Sequence, residues 1–411
     1  MTTLEILSLL FAIAAVFGLI STRWLKLPIT IGTMLLTVVV SAALMVAAQE
    51  IPGIQHWAAN LVRQIDFGSL ILRGMLPLLL FAGAFLLDLE QLVREKLTVA
   101  ILSTAGTAVC FLLVAALMAA FGEGRIPWMQ CLIFGALISP TDPIAVLEML
   151  GRVGVPKRIQ AQLAGESLFN DGIGAVLFIT MLEVARGQAP TAAHVAGLLL
   201  AKAGGGIAVG IVAAWAASQL MRRVESYQVD ILLTIALALG GYVLADLLRT
   251  SAPLEAVVAG IALRHFNRDL EKGSIAQGSV DGFWEVIDEI QNSILFVLLG
   301  LEVMAIALDW ATLRIGLAAI LSVNLVRLGM VVLLLALVRL IQPAHRSSTF
   351  VMTWGGLRGG LSIALALSVP EALGRSWMLG ATYLVVVFSI VVQGSSMDWL
   401  LRRRKLDPQA I

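Results

Sequence analysis

The stretch Ile138-Ser-Pro-Thr-Asp-Pro-Ile-Ala-Val-Leu147 lies inside an apolar run that begins at Trp128 and continues to Leu150. Two prolines, a threonine and an aspartate stand at its centre. Pro140 and Pro143 lack an amide proton and clash with the preceding turn, so a helix entering this stretch must open. Asp142 directly before Pro143 has the form of an N-cap followed by proline at the first helical position. The expected structure is a half-helix, an extended Thr141-Asp142 linker, and a second half-helix starting at Pro143. Unwound backbone at membrane depth is tolerated only where it is buried in protein or lines a cavity. It also bares carbonyl oxygens, which coordinate small cations. A plain proline kink capped by Asp142 is the simpler reading of the same residues.

The apolar setting extends to the whole chain. Of its 411 residues 59% are hydrophobic and 13% charged, and mean hydropathy is +0.94. A soluble domain is about half apolar and about a quarter charged. The class is therefore an integral membrane protein. Apolar runs of about 20 residues indicate helices, not the roughly 10-residue alternating strands of a membrane barrel. The fold class expected is an all-α polytopic membrane protein, with residues 1–411 forming a single membrane domain. A net charge of +1 argues against nucleic acid as a partner. Cys110 and Cys131 fall inside apolar runs and read as small buried hydrophobes. The first apolar run has no basic region before it and carries Arg23 and Lys26 after it, so it reads as a span and not as a secretory leader. No cofactor is expected.

Apolar runs between polar punctuation give about 13 spans, near 4–21, 29–48, 70–87, 97–121, 128–150, 160–185, 193–221, 228–248, 253–264, 283–308, 311–338, 347–370 and 376–401. The ninth is short and carries Glu255. The distribution of positive charge tests the count. With the N-terminus outside, eighteen of the 28 Lys and Arg residues fall on the inner side, eight on the outer side, and two, Arg327 and Arg358, lie mid-run. That asymmetry supports an odd number of spans with the C-terminus in the cytoplasm.

Ionisable groups at bilayer depth are costly unless they face protein or water, so they are the best functional candidates. Gly165-Glu-Ser-Leu-Phe-Asn-Asp171 holds such a group on the sixth span. At 100° per residue, Glu166, Ser167, Asn170 and Asp171 share one helix face while Leu168 and Phe169 point away. Their oxygens suit a hard cation such as Na⁺, and a carboxylate among them can hold a proton instead. An aqueous loop is the competing reading, but Asp171 lies well past the loop charges Arg152, Lys157 and Arg158. Trp354-Gly-Gly-Leu-Arg-Gly-Gly-Leu361 interrupts the twelfth span with four glycines around Arg358. Glycines let the backbone unwind and helices approach closely. Arg327 sits mid-run on the eleventh span. Buried arginines require anions, and the acids available are those of the fifth and sixth spans; snorkelling to an interface is the alternative for Arg327.

Spans five and twelve are both broken near their middles and lie an odd number of spans apart, which inverts their orientation. Two broken helices in opposite orientation are the signature of an inverted-repeat secondary transporter with its site near the midplane. Asp142 is then placed to compensate positive half-helix ends and Arg358 negative ones. Glu183, Asp246, Glu255 and Glu302 lie near expected span ends, where caps and interface contacts are the default. Glu148 is expected to line an inner funnel. The four histidines lie near loops, which speaks against a histidine relay or a metal-centred membrane enzyme.

Taken in order, Ser-Pro-Thr-Asp-Pro, Gly-Glu-Ser-Leu-Phe-Asn-Asp-Gly and Trp-Gly-Gly-Leu-Arg-Gly-Gly resemble the signature helices of the cation:proton antiporters, in the CPA1 branch of NhaP-like and NHE-type sodium/proton exchangers. Ser293-Ile-Leu-Phe-Val-Leu-Leu-Gly-Leu-Glu302 resembles a late helix of the same family, and the similarity runs from about the third span to the C-terminal end. The resemblance implies a homodimer of 13-helix protomers in the cell (inner) membrane. It implies core helices at about 97–185 and 311–401, and dimerisation helices at about 4–87 and 193–308. It implies exchange of Na⁺ (or Li⁺) for H⁺, with K⁺/H⁺ exchange, a channel or another ion-coupled carrier as alternatives. Asp171 is expected to bind cation or proton, with Thr141, Asp142 and Ser167 contributing and Glu166 pairing with Arg327. Asn170 goes with electroneutral exchange. One departure stands out: relatives often carry an acid in Leu-Leu-Phe-Glu on the third span, where this chain reads Leu79-Leu80-Phe81-Ala82.

Overall fold

The computed structural model describes residues 3–26, 29–50, 70–142, 146–147, 150–151, 154–187, 192–224, 226–268, 275–302, 309–341 and 346–403. Among these residues every regular element is helical. Helices α1 (Thr3–Ile20) and α2 (Ile29–Glu50) precede α3 (Leu76–Phe85), which is entered through a π-helical stretch at Leu70–Met75. A short α4 (Leu89–Arg94) leads into α5 (Lys96–Ile101), a π-helical stretch at Leu102–Gly106, and α6 (Thr107–Phe121). Then come α7 (Trp128–Ile138), α8 (Lys157–Ala185), α9 (Ala192–Met221), α10 (Tyr227–Leu247), α11 (Ala252–Phe266), α12 (Ile275–Glu302) and α13 (Trp310–Ile341). The chain closes with α14 (Arg346–Trp354), α15 (Gly360–Leu367), α16 (Arg375–Phe388) and, after a π-helical stretch at Ser389–Gly394, α17 (Ser395–Arg403).

Each expected span has a helical counterpart here. Among the described residues seven helices are individually long and apolar enough to cross a membrane, among them Lys96–Phe121, Lys157–Ala185 and Trp310–Leu340. The others are short, broken or partly polar. Three departures have clear physical reasons. The tenth span begins at Ile275, well before 283, because its polar first turns are anchored: Arg264 of α11 forms an ion pair with Asp281. Residues 303–308 lie outside the described residues. The ninth span is short because α11 is enclosed by protein. A Cβ on Gly260 would meet the Phe81 carbonyl oxygen at 2.8 Å, and one on Gly210 would meet the Glu255 carbonyl oxygen at 2.8 Å, so glycine lets both neighbours approach closely. The helix α4 was not expected. It starts because the Asp88 side chain accepts from the amides of Glu90 and Gln91, at 3.0 and 3.1 Å.

The surface is apolar where lipid would touch it. On α13, Leu317, Leu321, Leu325 and Leu328 point outward, while Ser322 and Arg327 are buried on other faces of the same helix. Three apolar clusters fill the interior. One joins α6, α7, α8, α13 and α16. A second joins α12, α15 and α16 with α1. The third surrounds Trp284 with residues of α3, α9, α10 and α11, and the indole N–H of Trp284 donates to Thr234 at 3.0 Å. Helix α8 packs on both α7 and α11, and so lies between the first and third clusters.

Candidate ion-binding site

Both broken helices open where the prolines and glycines indicate. Helix α7 ends at Ile138 and Thr141-Asp142 is non-helical; α14 ends at Trp354 and the chain is non-helical until α15 starts at Gly360. Pro143 and Glu148, and with them the start of the second half-helix, lie outside the described residues. The two openings cross. The amide of Asp142 donates to the Leu357 carbonyl at 2.8 Å. Arg358, only 1% exposed, donates from Nη1 to the carbonyls of Ser139 and Pro140, the latter at 2.7 Å. These acceptors sit at the C-terminal end of α7, where a helix leaves its last carbonyls unbonded and carries partial negative charge. At the opposite half-helix end, the Asp142 carboxylate occupies the space where a Cβ of Gly359 would lie. Gly359 is the N-cap of α15. A carboxylate thus faces a positive helix end and a guanidinium a negative one. The Cys110 thiol of α6 lies within electrostatic reach of Arg358.

The polar face of α8 splits into two groups. Glu166, Ser167 and Asn170 are buried. Glu166 receives both guanidinium arms of Arg327, with Nη2 to Oε2 at 2.9 Å, and the same Nη2 reaches the Met352 carbonyl at 2.7 Å. Arg327 therefore ties α8 to α13 and to the end of α14, and does not snorkel. Asn170 accepts from the Thr141 amide at 3.1 Å and donates to Thr141 Oγ1 at 2.7 Å. The Thr141 and Ser167 hydroxyls share a hydrogen bond of 2.8 Å. The unwound linker is thus stitched to α8 by three hydrogen bonds. Asp171 stands one residue on, half-buried.

Asp171, Asp142 and Thr141 line one cavity of about 250 Å³. Its other walls are largely apolar, from Leu79, Leu80 and Gly83 of α3 to Leu295 of α12, and it is bounded by Leu86 and Leu87 at the end of α3. An apolar pocket with a few placed polar groups is the usual form of a small-ligand site. Ser167, Asn170, Glu166, Arg327 and Arg358 are not on the cavity wall; they hold its lining from behind. Among the described residues no group of three or more His, Cys, Asp or Glu side chains is placed to hold a metal ion together.

Sequence reasoning passed over two polar residues on that wall, Asp288 of α12 and Ser362 of α15. Asp288 had a signal: it is an acid within a span read as 283–308. Ala82, where the family resemblance leads to the expectation of an acid, is fully buried in the cluster around Trp284 and is not part of the cavity wall. Glu255 corrects the expectation of a cap or interface contact. Ser251 caps α11, accepting from the Leu254 amide at 3.2 Å, while Glu255 is fully buried and neither of its carboxylate oxygens has a hydrogen-bond partner among the described residues. Glu183 does make a local contact, an ion pair with Lys202 at 2.6 Å.

An all-helical membrane protein whose two interrupted helices cross over a charged, buried centre has the architecture of a secondary transporter. The family model for the sodium/hydrogen exchanger, transmembrane, matches residues 11–403. The chain belongs to the sodium/hydrogen exchanger family. It is 38% identical over 411 residues to the Na(+)/H(+) antiporter NhaP of Pseudomonas aeruginosa, covering 97% of this chain and 96% of that protein. It is 31% identical over 374 residues to the Na(+)/H(+) antiporter NhaH of Halobacillus dabanensis, covering 89% of this chain and 90% of that one. The fold is similar to that of the sodium proton antiporter MjNhaP1 from Methanocaldococcus jannaschii, with a TM-score of 0.73 at 19% identity over 97% of this chain and 98% of that structure.

Proposed function

We propose that this protein exchanges Na⁺ for H⁺ across the membrane, with Asp171 as the group that takes either ion. The observation that carries the reading is local. Of the four polar residues on the α8 face, Glu166, Ser167 and Asn170 are hydrogen-bonded to protein, and Asp171 alone lines the cavity. The names of the relatives, Na(+)/H(+) antiporters, support the choice of ions.

In this mechanism the Asp171 carboxylate binds Na⁺ or H⁺ and never both. A bare carboxylate is strongly disfavoured by desolvation when carried through an apolar barrier, whereas the cation-loaded or protonated form is nearly neutral. That difference enforces exchange instead of leak. Thr141 and Asp142 supply further oxygens in the same cavity, and Ser167 joins them when its bond to Thr141 opens. Asn170 is neutral and adds no second proton, so one-for-one electroneutral exchange follows. The Glu166–Arg327 pair and the Arg358 contacts keep the core helices, about 97–185 and 311–401, moving as one body. The helices at about 4–87 and 193–308 form the static side and the homodimer contact. The protomer lies in the cell (inner) membrane with its N-terminus outside, and the cavity, bounded at the Asp88 end of α3, faces the cytoplasm. The protein acts as a carrier and not as an enzyme.

The test is dissipation of a pH gradient in proteoliposomes with Na⁺, Li⁺ and K⁺ compared, with and without a voltage clamp. Na⁺-driven dissipation unaffected by the clamp is the expected result. Current without a pH gradient overturns exchange in favour of a channel, and a response to K⁺ alone overturns the choice of ion.

A further inference from the structure

Asp288 is half-buried on α12 and lines the same cavity as Asp171 and Asp142. Residues 288, 292 and 295 are spaced i, i+4 and i+7, one stripe of a helix. The two ends of that stripe, Asp288 and Leu295, are both on the cavity wall. Between them Asn292 is 1% exposed, and among the described residues neither the nitrogen nor the oxygen of its side-chain amide has a hydrogen-bond partner. From α15, Ser362 also lines the cavity; it is 1% exposed and its hydroxyl has no hydrogen-bond partner among the described residues. Buried polar atoms are nearly always hydrogen-bonded, and each exception calls for an explanation.

We propose that Asp288, Asn292 and Ser362 form a second station for the transported cation, which delivers it to Asp171 and sets its apparent affinity. The chemistry fits a monovalent alkali cation. The station offers one carboxylate, one amide carbonyl and one hydroxyl, all hard oxygen ligands, and a single negative charge. The unpartnered oxygens of Asn292 and Ser362 are what such an ion would satisfy. Asp142 lies within electrostatic reach of both Asp288 and Asp171, and all three carboxylates line the same cavity. Helix α3 contains no acidic residue and adds no carboxylate to this wall, whereas Asp288 supplies negative charge from α12. This inference rests on the cavity being the cation path.

The experiment is Na⁺-dependent exchange in proteoliposomes for the wild type, D288N, N292A and S362A. Loss of a charged ligand is expected to raise the apparent KM for Na⁺ about tenfold in D288N. S362A removes an oxygen without changing charge and is expected to raise it severalfold. Vmax is expected to change little, as for a group that binds the ion without carrying it through the rate-limiting step. A KM unchanged in D288N, or a loss of Vmax at constant KM, overturns the second station. Should D288N fail to reach the membrane, S362A and N292A decide: an unchanged KM in both overturns it equally. Wild-type protein without Na⁺/H⁺ exchange overturns the functional reading itself, a result distinct from active wild type with unaffected variants.

Discussion

The amide of Asp142 donates to the carbonyl of Leu357 at 2.8 Å, so the two interrupted helices are joined backbone to backbone at their crossing. Arg358, the next residue along, reaches back to the carbonyls of Ser139 and Pro140. The openings of the two helices thus satisfy one another, and neither is stable in its present form without the other. This reciprocity explains how unwound backbone persists at membrane depth.

Asp171→Asn removes the charge that distinguishes empty from loaded. Exchange in proteoliposomes is expected to vanish while the variant remains folded, since Asn has nearly the same shape. Na⁺-for-H⁺ exchange at the normal rate in a monodisperse D171N preparation would sink the assignment.

Gly359→Ala places a methyl group where the Asp142 carboxylate lies. The carboxylate must then leave the N-terminus of α15, or the crossing must widen. Exchange is expected to fall by at least about tenfold, a modest loss for a site displaced by an ångström or so. Asp142 is affected here through its position, so D142N in the glycine background should leave more activity than G359A. Equal rates for G359A and wild type contradict the close packing of the crossing.

The Glu166–Arg327 pair is buried at both ends. Breaking such a pair by removing one partner costs about 3–5 kcal/mol, whereas apolar replacement of both is often near neutral. E166Q and R327M are therefore each expected to lower the melting temperature in detergent sharply. The double replacement with apolar residues should recover part of that loss, limited by the Met352 carbonyl that Arg327 also serves. Strictly additive losses in the double variant argue against a brace made of this pair.

The breaks were legible because prolines and glycines act locally: a helix that runs into Pro140 loses an amide donor and meets the ring at the preceding turn, and glycines around Arg358 remove side chains that would block a crossing. The α8 face was legible because its polar residues follow helical spacing. Asp288 was not singled out, since Glu285 and Glu289 flank it and only packing separates the one that lines the cavity from the two that are exposed. Glu255 was misjudged for a related reason. Its place in the first turn of a short span looks peripheral in sequence, yet α9 and α10 close over it through Gly210 and Gly241. The helix α4 escaped notice because hydropathy does not mark a six-residue amphipathic turn, although its Asp88 cap was present.

If one carboxylate takes either ion, protons and Na⁺ compete, and the sign of the pH effect follows. Lowering the pH fills Asp171 with protons, so the apparent KM for Na⁺ must rise; raising it frees the carboxylate, and KM must fall to a floor. For a single competing proton the rise is at most about tenfold per pH unit. Saturating Na⁺ should restore Vmax across the acid limb, because the ions exclude each other instead of acting at separate sites. Measuring exchange against Na⁺ concentration at a series of symmetrical pH values checks this directly. A KM that steepens beyond tenfold per unit means that a second proton is taken up with the first. Asp288 and Asp142, the other carboxylates on the cavity wall, are then the groups to examine by substitution. A Vmax that stays depressed at saturating Na⁺ places the sensitive proton away from Asp171 and removes it from the role of shared ligand.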